Sequence, residues 1–213
     1  MLRFVTLSLG LTPVACVVLA CGGDPERAPP ADLNDAATVW IGPGDAGPRE
    51  GGSQSGTCAA AKAPFGIDKE FGQSFPDHPY LTCDGEVVSA RDMRCEHQLT
   101  LVSIGAGWCE PCEAEALVLE DLYQRYRRRG LGVVQLMYAD RQGFVPGLSF
   151  CAAWQREFAL SYPVYIDVQK SSLQYLNIGV TPLNFVMNQR GQVIWAGFGV
   201  LPADIEAYLD AWL

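Results

Sequence analysis

Two cysteines separated by two residues, Cys109 and Cys112, form the pair in this sequence that is best suited to chemistry. A Cys-x-x-Cys pair can close a small disulfide and reopen it by attack of a thiolate on sulfur. A structural zinc site needs about four ligands. The chain has no second Cys-x-x-Cys, and His78 and His97 form no paired motif. The spacing therefore favours redox chemistry, with a purely structural disulfide or half of a zinc site as the alternatives.

The flanking sequence places this pair between a strand and a helix. Residues 99–104 are apolar and rich in β-formers, which predicts a buried strand. Residues 113–129 carry apolar side chains at i, i+3, i+4 and i+7, which predicts an amphipathic helix. Cys109 should then lie at or just before a helix N-terminus, where backbone N–H groups and the macrodipole stabilise a thiolate. Pro111 suits the first turn, because its missing N–H has no helical partner there.

Glu115 lies one turn after Cys112 and four residues before Leu119, so it continues the apolar face of the predicted helix. We expect its side chain to point inward. Burial raises the pKa of a carboxyl, which would let Glu115 exchange a proton with Cys112. The alternative is an ordinary acidic residue of the first helical turn, favoured there by the helix dipole. The sequence leaves both interpretations open.

The rest of the domain predicts alternating strands and helices. Asp84-Gly85 separates two short extended stretches and is typical of a hairpin turn. An alternation of strand, helix and strand, followed by a second hairpin and a last helix, predicts an α/β domain with a mixed central sheet and helices on both faces. Beyond the central helix we predict strands at residues 131–138, 163–167, 183–187 and 192–196, and helices at residues 150–160, 170–176 and 203–213.

The first 56 residues predict export and anchoring. Residues 1–20 carry one charge, Arg3, before an apolar run, which is typical of a secretory signal peptide and short for a membrane span. The end of that run resembles a bacterial lipobox, which implies cleavage before Cys21 and lipid on its thiol. An ordinary signal peptide, with Cys21 as a bystander, is the alternative. Residues 21–56, rich in Gly and Pro, predict a disordered tether, and residues 57–213 predict one folded domain.

The charge of the chain limits its partners. A formal net charge of −9 at pH 7 disfavours nucleic acid and anionic lipid surfaces. The basic cluster at residues 125–129 ends a predicted helix, where cations complement the dipole. We expect no nucleic-acid partner, no metal and no cofactor.

The order of the motifs carries a family likeness. The Trp-Cys-x-x-Cys motif after a strand, followed by Thr181-Pro182 before a hairpin and a last helix, resembles the thioredoxin fold. The upstream hairpin and an extra helix and strand across residues 147–167 resemble the envelope-anchored proteins of the TlpA and ResA type. The resemblance implies a three-layer α/β/α sandwich in the bacterial cell envelope, facing the periplasm or the exterior. It also implies disulfide exchange with exported client proteins and an upstream membrane thiol as electron donor.

The resemblance implies a role for each site residue. Cys109, next to Trp108, would be the attacking thiolate, and Cys112 would be the resolving thiol. Pro182 would be cis and lie against the disulfide. Glu115 matches an acidic position of the ResA-like group. The Glu-Pro pair between the cysteines is similar to that of ResA-like reductants of cytochrome c maturation.

Two positions depart from the family pattern. Ser103 occupies the position of the buried aspartate that thioredoxin has six residues before the first cysteine, which leaves Glu115 to carry the proton. Glu113 occupies a position that is often basic. Together with Glu110 and Glu115, this acid disfavours a thiolate, and a less stable thiolate means a more stable disulfide and a stronger reductant.

Four further cysteines, Cys58, Cys83, Cys95 and Cys151, would pair in an exported protein. Four cysteines allow three pairings. Because Cys83 and Cys95 flank the predicted hairpin, we predict a Cys83–Cys95 disulfide. A Cys58–Cys151 disulfide then follows, with a free Cys151 as the alternative.

Three functions compete for the motif. The first is an envelope thiol–disulfide oxidoreductase. The second is a thiol peroxidase, which would want a threonine three residues before the attacking cysteine, where Ala106 lies. The third is a tethered lipoprotein that holds Cu(I) through its soft thiolates, although no Met or His lies near the motif.

Overall fold

The computed structural model describes residues 75, 77–176 and 180–213. The predicted signal peptide, Cys21, the tether up to residue 56 and Cys58 lie outside the described residues. Within the described ranges, no helix is both long enough and apolar enough to cross a membrane.

Strands and helices alternate along the described residues, as predicted. The strands are β1 (Pro79–Thr82), β2 (Val87–Ser89), β3 (Leu99–Ala106), β4 (Leu131–Ala139), β5 (Val164–Ile166), β6 (Leu183–Asn188) and β7 (Val193–Phe198). The helices are α1 (Ala90–Cys95), α2 (Glu110–Tyr126, followed by a 3-10 turn at Arg127–Arg129), α3 (Leu148–Glu157), α4 (Ser171–Leu176) and α5 (Ile205–Trp212).

All of these strands belong to one mixed sheet in the order β2-β1-β5-β4-β3-β6-β7. Strands β3, β4 and β5 run parallel, whereas β1 pairs antiparallel with β2 and β5, and β6 pairs antiparallel with β3 and β7. Every residue of β3 is buried between β4 and β6, which explains its nearly continuous apolar sequence. The strand that leads to the Cys-x-x-Cys motif is therefore central and rigidly held.

Helices cover both faces of the sheet. Side chains alternate along β3, so successive residues enter two different hydrophobic clusters. Leu101 belongs to the cluster that contains Leu119 of α2 and Trp154 of α3. Ile104 belongs to the cluster that contains Met93 of α1. This arrangement is the predicted α/β/α sandwich, with α3 and β5 as the predicted helix–strand insertion.

The starts of α2, α3, α4 and α5 differ from the predicted ones by one to three residues, and one short helix was not predicted. Helix α1, which was not predicted, begins with a capping box in which Ser89 and Asp92 exchange hydrogen bonds between side chain and backbone. Its six residues are too few to show a helical period. Helix α2 begins at Glu110, three residues earlier than predicted, because Cys109 acts as its N-cap.

Candidate active site

Cys109 and Cys112 form a disulfide at the start of α2, with a sulfur–sulfur distance of 2.06 Å. The Sγ atom of Cys109 accepts a hydrogen bond from the Cys112 backbone N–H at 3.2 Å. Pro111 lies in the first turn, as predicted. Cys109 is 3 % exposed, whereas Cys112 is completely buried. In the reduced protein, this N–H group and the helix dipole would favour a thiolate on Cys109.

The Thr181–Pro182 peptide lies beside this disulfide and is cis. Antiparallel pairing of β6 with β3 sets Leu183 opposite Ile104 and brings the residues before β6 to the end of β3. Thr181 Oγ1 donates to the Ile104 carbonyl oxygen at 3.0 Å and lies 3.4 Å from Cys112 Sγ. The threonine and the cis-proline therefore form one wall of the site.

Trp108 is the exposed aromatic residue next to the disulfide. Half of its surface (51 %) is accessible, and its ring meets the ring of Tyr138 edge to face at 6.3 Å. The preceding Gly107 leaves no room for a side chain, because a Cβ atom there would lie 2.6 Å from Phe150 and 2.8 Å from the Arg141 backbone. The loop after β4 is thus packed directly against the segment that presents Trp108.

Glu115 points inward and is 1 % exposed, which supports the first of its two interpretations. Its Oε2 accepts a hydrogen bond from Ser103 Oγ at 2.9 Å. Its Oε1 accepts from Asn184 Nδ2 and from the Leu201 backbone N–H, both at 2.8 Å. Burial raises the pKa of Glu115 from 4.5 to about 7, because loss of hydration outweighs the three hydrogen bonds that stabilise the anion.

A row of buried polar side chains lies across the sheet beneath this carboxyl. Ser103 on β3 is in register with Gln135 on β4 and with Asn184 on β6, and all three are completely buried. Gln135 and Asn184 were not predicted as site residues. Each interrupts an apolar strand, as in Val-Val-Gln-Leu-Met, and that interruption was the available signal.

The three acidic residues around the motif lie in different environments. Arg141 donates to Glu113 Oε1 at 2.8 Å and to both Glu157 oxygens at 2.8 and 2.9 Å. Glu113 therefore has a cation beside it, whereas burial raises the pKa of Glu115 to about 7. Of the three acids expected to disfavour a thiolate, Glu110 is the one that is exposed at the helix start.

The predicted pairing of the other cysteines was wrong. Cys83 pairs with Cys151, across 68 residues of sequence, and not with Cys95. The reason is the order of the strands in the sheet. Because β1 pairs with β5, Cys83 at the end of β1 lies next to α3, which contains Cys151. Both sulfurs lie 3.5 Å from the Val164 carbonyl oxygen. Cys95 is also disulfide-bonded. The Cys83–Cys151 bond excludes the predicted Cys58–Cys151 bond and a free Cys151.

No group of three or more His, Cys, Asp or Glu side chains in the described part of the chain is arranged to hold a metal ion. The described residues bring together Trp108, Cys109, Cys112, Glu115 and Pro182. They add Thr181, Ser103, Gln135 and Asn184 to that set.

A central strand that leads into a Cys-x-x-Cys disulfide, followed by a helix and faced by a cis-proline, defines a protein of the thioredoxin-like class. The chain belongs to the AhpC/TSA family, because residues 71–196, more than half of its length, match the model of that family. The predicted fold and family resemblance are thereby confirmed.

Proteins of similar sequence belong to the same class. A thiol-disulfide oxidoreductase ResA from Geobacillus kaustophilus is 30% identical over 105 residues, which cover 49% of this chain and 57% of that protein. A second ResA, from Bacillus cereus (strain ZK / E33L), is 23% identical over 150 residues, which cover 68% of this chain and 82% of that protein. This chain thus spans little more than half of the length of the Geobacillus protein and most of the length of the Bacillus protein. Both relatives are named thiol-disulfide oxidoreductases, which confirms the predicted enzyme class.

Solved structures show the same fold. A thiol:disulfide interchange protein from Bacteroides sp. superposes with a TM-score of 0.58 at 15% identity, over 68% of this chain and 91% of that chain. A thioredoxin family thiol:disulfide interchange protein from Chlorobium tepidum TLS superposes with a TM-score of 0.54 at 19% identity, over 68% and 98%.

Proposed function

We propose that this protein is an envelope-anchored thiol–disulfide oxidoreductase that reduces disulfides in exported client proteins through Cys109 and Cys112. The observation that carries the proposal is the disulfide at the N-terminus of α2, flanked by Thr181 and Pro182. The names of the relatives support the same activity.

The exchange proceeds in two displacements. The Cys109 thiolate attacks a client disulfide and forms a mixed disulfide with one client sulfur. The Cys112 thiolate then attacks Cys109 Sγ, closes the Cys109–Cys112 bond and releases the client thiolate, which takes up a proton. Cys109 goes first because its Sγ is the N-cap atom and accepts the Cys112 N–H, whereas Cys112 is completely buried.

Glu115 accepts the proton that Cys112 must lose before the second displacement. A buried thiol ionises slowly without a base in reach, and a base works best when its pKa lies near the operating pH. The pKa of Glu115 is raised to about 7 by burial, which meets that condition. Ser103 cannot replace it, because a hydroxyl keeps its proton at neutral pH.

The proposal extends to the setting of the reaction. The signal-like N-terminus and the lipobox-like Cys21 support attachment to a membrane through lipid. The Cys83–Cys151 disulfide, remote in sequence from the motif, suits an exported protein. In that setting the protein takes electrons from an upstream membrane thiol donor, and apocytochromes c are among its clients.

Reduction of insulin by dithiothreitol tests the activity. We expect the wild type to accelerate it, Cys109→Ser to abolish the acceleration, and Cys112→Ser to trap mixed disulfides with the client. The double variant Cys83→Ser/Cys151→Ser is the matched control, because it removes a disulfide outside the motif and should retain activity. Faster alkylation of Cys112 than of Cys109 at neutral pH would reverse the assigned roles.

The same preparations separate the competing functions. A thiol peroxidase would consume hydroperoxide through Cys109 without needing a client disulfide. A Cu(I) carrier would bind copper tightly and leave insulin unreduced. The reduction potential of the Cys109–Cys112 pair, measured against glutathione or dithiothreitol, decides direction: a potential near that of the strongest protein oxidants, about −120 mV, would contradict the assignment as a reductant.

A further inference from the structure

The side-chain amide of Gln135 is completely buried and uses only one of its two ends. Its Oε1 accepts the indole N–H of Trp154 at 2.8 Å and the hydroxyl of Tyr162 at 3.4 Å. Its Nε2 has no hydrogen-bond partner among the described residues. An indole N–H can only donate, so Trp154 fixes the amide with Oε1 toward α3 and Nε2 away from it. Buried hydrogen-bond donors without an acceptor are uncommon in folded proteins, so this one needs a physical explanation.

The unpaired N–H group lies close to the redox-active disulfide. A Cβ atom on Gly105 would lie 3.8 Å from Gln135 Nε2 and 3.3 Å from Cys112 Sγ. The donor and the sulfur therefore both lie within 4 Å of the same point beside Gly105. Since residue 105 is glycine, it contributes no side chain at this point.

The other polar hydrogens beside Cys112 already have acceptors. Thr181 Oγ1 lies 3.4 Å from Cys112 Sγ but donates to the Ile104 carbonyl oxygen. The Cys112 backbone N–H donates to Cys109 Sγ. Gln135 Nε2 is therefore the donor near Cys112 that has no acceptor within the described residues.

We propose that Gln135 Nε2 donates a hydrogen bond to Cys112 Sγ once the disulfide opens, and that this bond stabilises the Cys112 thiolate. The idea rests on the proposed function, because that thiolate performs the second displacement. A thiolate accepts hydrogen bonds far better than a disulfide sulfur does, so the N–H group that is unpaired in the oxidised protein gains its partner on reduction. In the second displacement the Cys112 electron pair forms the new bond to Cys109 Sγ, the client sulfur leaves with the pair of the broken bond, and Gln135 loses no proton.

Several titratable groups surround Cys112 and enter the design of the test. They are Cys109 at the N-cap of α2, Glu110, the paired Glu113 and Glu115 on α2, Tyr138 on β4, and Tyr162 before β5. Burial raises the pKa of both Tyr138 and Tyr162, so these phenols stay neutral over the range of interest. Glu115 titrates in that range, and each titration is therefore repeated in the Glu115→Gln background.

The test is the ultraviolet thiolate titration of Cys112 in the full chain carrying Cys109→Ala, with the further Cys112→Ser variant as reference. Gln135→Met keeps the length of the side chain and removes the donor. Gly105→Ala leaves Gln135 intact and places a methyl group 3.3 Å from Cys112 Sγ and 3.8 Å from Nε2. Both changes should raise the apparent pKa of Cys112 by about one unit, since each removes a hydrogen bond to the charged form. With Cys109 restored, resolution of the mixed disulfide at neutral pH should slow about threefold, because a more basic thiolate is scarcer but more nucleophilic.

Trp154→Phe is the matched control. It breaks the same Trp154–Gln135 contact and should lower the melting temperature as Gln135→Met does, but it leaves the Gln135 amide and its Nε2 donor in the protein. An unchanged Cys112 pKa in Trp154→Phe, beside the expected rise in the two test variants, supports the proposal. Equal shifts in Trp154→Phe and Gln135→Met would assign the effect to packing and overturn it, as would no shift in Gly105→Ala. The titration uses no client, so a wild type inert toward insulin would count against the proposed function alone.

Discussion

Burial and hydrogen bonding act in opposite directions on the carboxyl of Glu115. Loss of hydration raises its pKa, and hydrogen bonds from Ser103, Leu201 and Asn184 lower it without cancelling the rise. The folded protein therefore holds this proton up to about pH 7, whereas the unfolded chain releases it near its usual pKa of 4.5. Folding stability must fall as the pH rises through this window, because the native state binds more protons there.

This difference predicts how Glu115→Gln changes stability. Urea unfolding of the oxidised proteins should show the wild type losing about 2–3 kcal/mol relative to the variant between about pH 5 and pH 8. The oxidised form is used because disulfide-bonded cysteines do not titrate. A difference between the two proteins that stays constant across this range would contradict the raised pKa.

The same substitution predicts a kinetic effect. Glu115→Gln keeps the shape of the side chain and removes the base, so it should slow resolution of the mixed disulfide and shift the apparent pKa values of the Cys109/Cys112 pair. General base catalysis contributes about 10²–10⁴ in rate, and we expect a loss at or below the low end of this range. The shifted values belong to the coupled set and not to one residue. Glu110→Gln, at an exposed position of the same helix, is the control, and an unchanged pH–rate profile in Glu115→Gln would exclude the role.

At the scale of elements, the insertion of α3 and β5 is held to the rest of the sheet by two kinds of link. The Cys83–Cys151 disulfide joins the end of β1 to α3. Arg141, in the loop between β4 and α3, pairs with Glu113 on α2 and with Glu157 at the end of α3. These ion pairs are partly exposed and contribute little to stability, about 1 kcal/mol or less each.

The Cys83–Cys151 disulfide should contribute much more to the free energy of unfolding than the ion pairs do. It closes 68 residues of chain, and the chain-entropy relation gives about 4 kcal/mol for a loop of this size, with native disulfides typically contributing about 2–4 kcal/mol. We expect Cys83→Ser/Cys151→Ser to lose about this free energy of unfolding in urea while retaining exchange at Cys109 and Cys112. A variant of full stability, or one that is stable but inactive, would show that the bond has a different role.

At the scale of the whole molecule, the N-terminal sequence predicts where the domain works. Mature protein from a bacterial membrane fraction should begin at Cys21 and carry lipid mass on that residue, because residues 18–21 resemble a lipobox. Cys21→Ser should release the protein from the membrane fraction. Mass spectrometry that finds an intact peptide running through Ala20 and Cys21 in the mature protein would contradict lipidation.

Local patterns in the sequence were sufficient for most of the elements and for the centre of the site. The Cys-x-x-Cys pair, the strand before it and the helix after it follow from periodicity and helix-start chemistry within about twenty residues. The inward position of Glu115 was one of two interpretations that the sequence left open, and its burial in the structure decided between them. Helix α1 was not predicted, because its six residues carry a capping box but are too few to show a helical period.

The tertiary structure alone decided the features that join distant residues. Cys83 meets Cys151 because β1 pairs with β5, and no local pattern specifies which strands become neighbours. Ser103, Gln135 and Asn184 form one buried row because β4, β3 and β6 lie side by side in a particular register. The order and register of strands far apart in sequence are set by the packing of both sheet faces against their helices, which no single stretch of sequence contains.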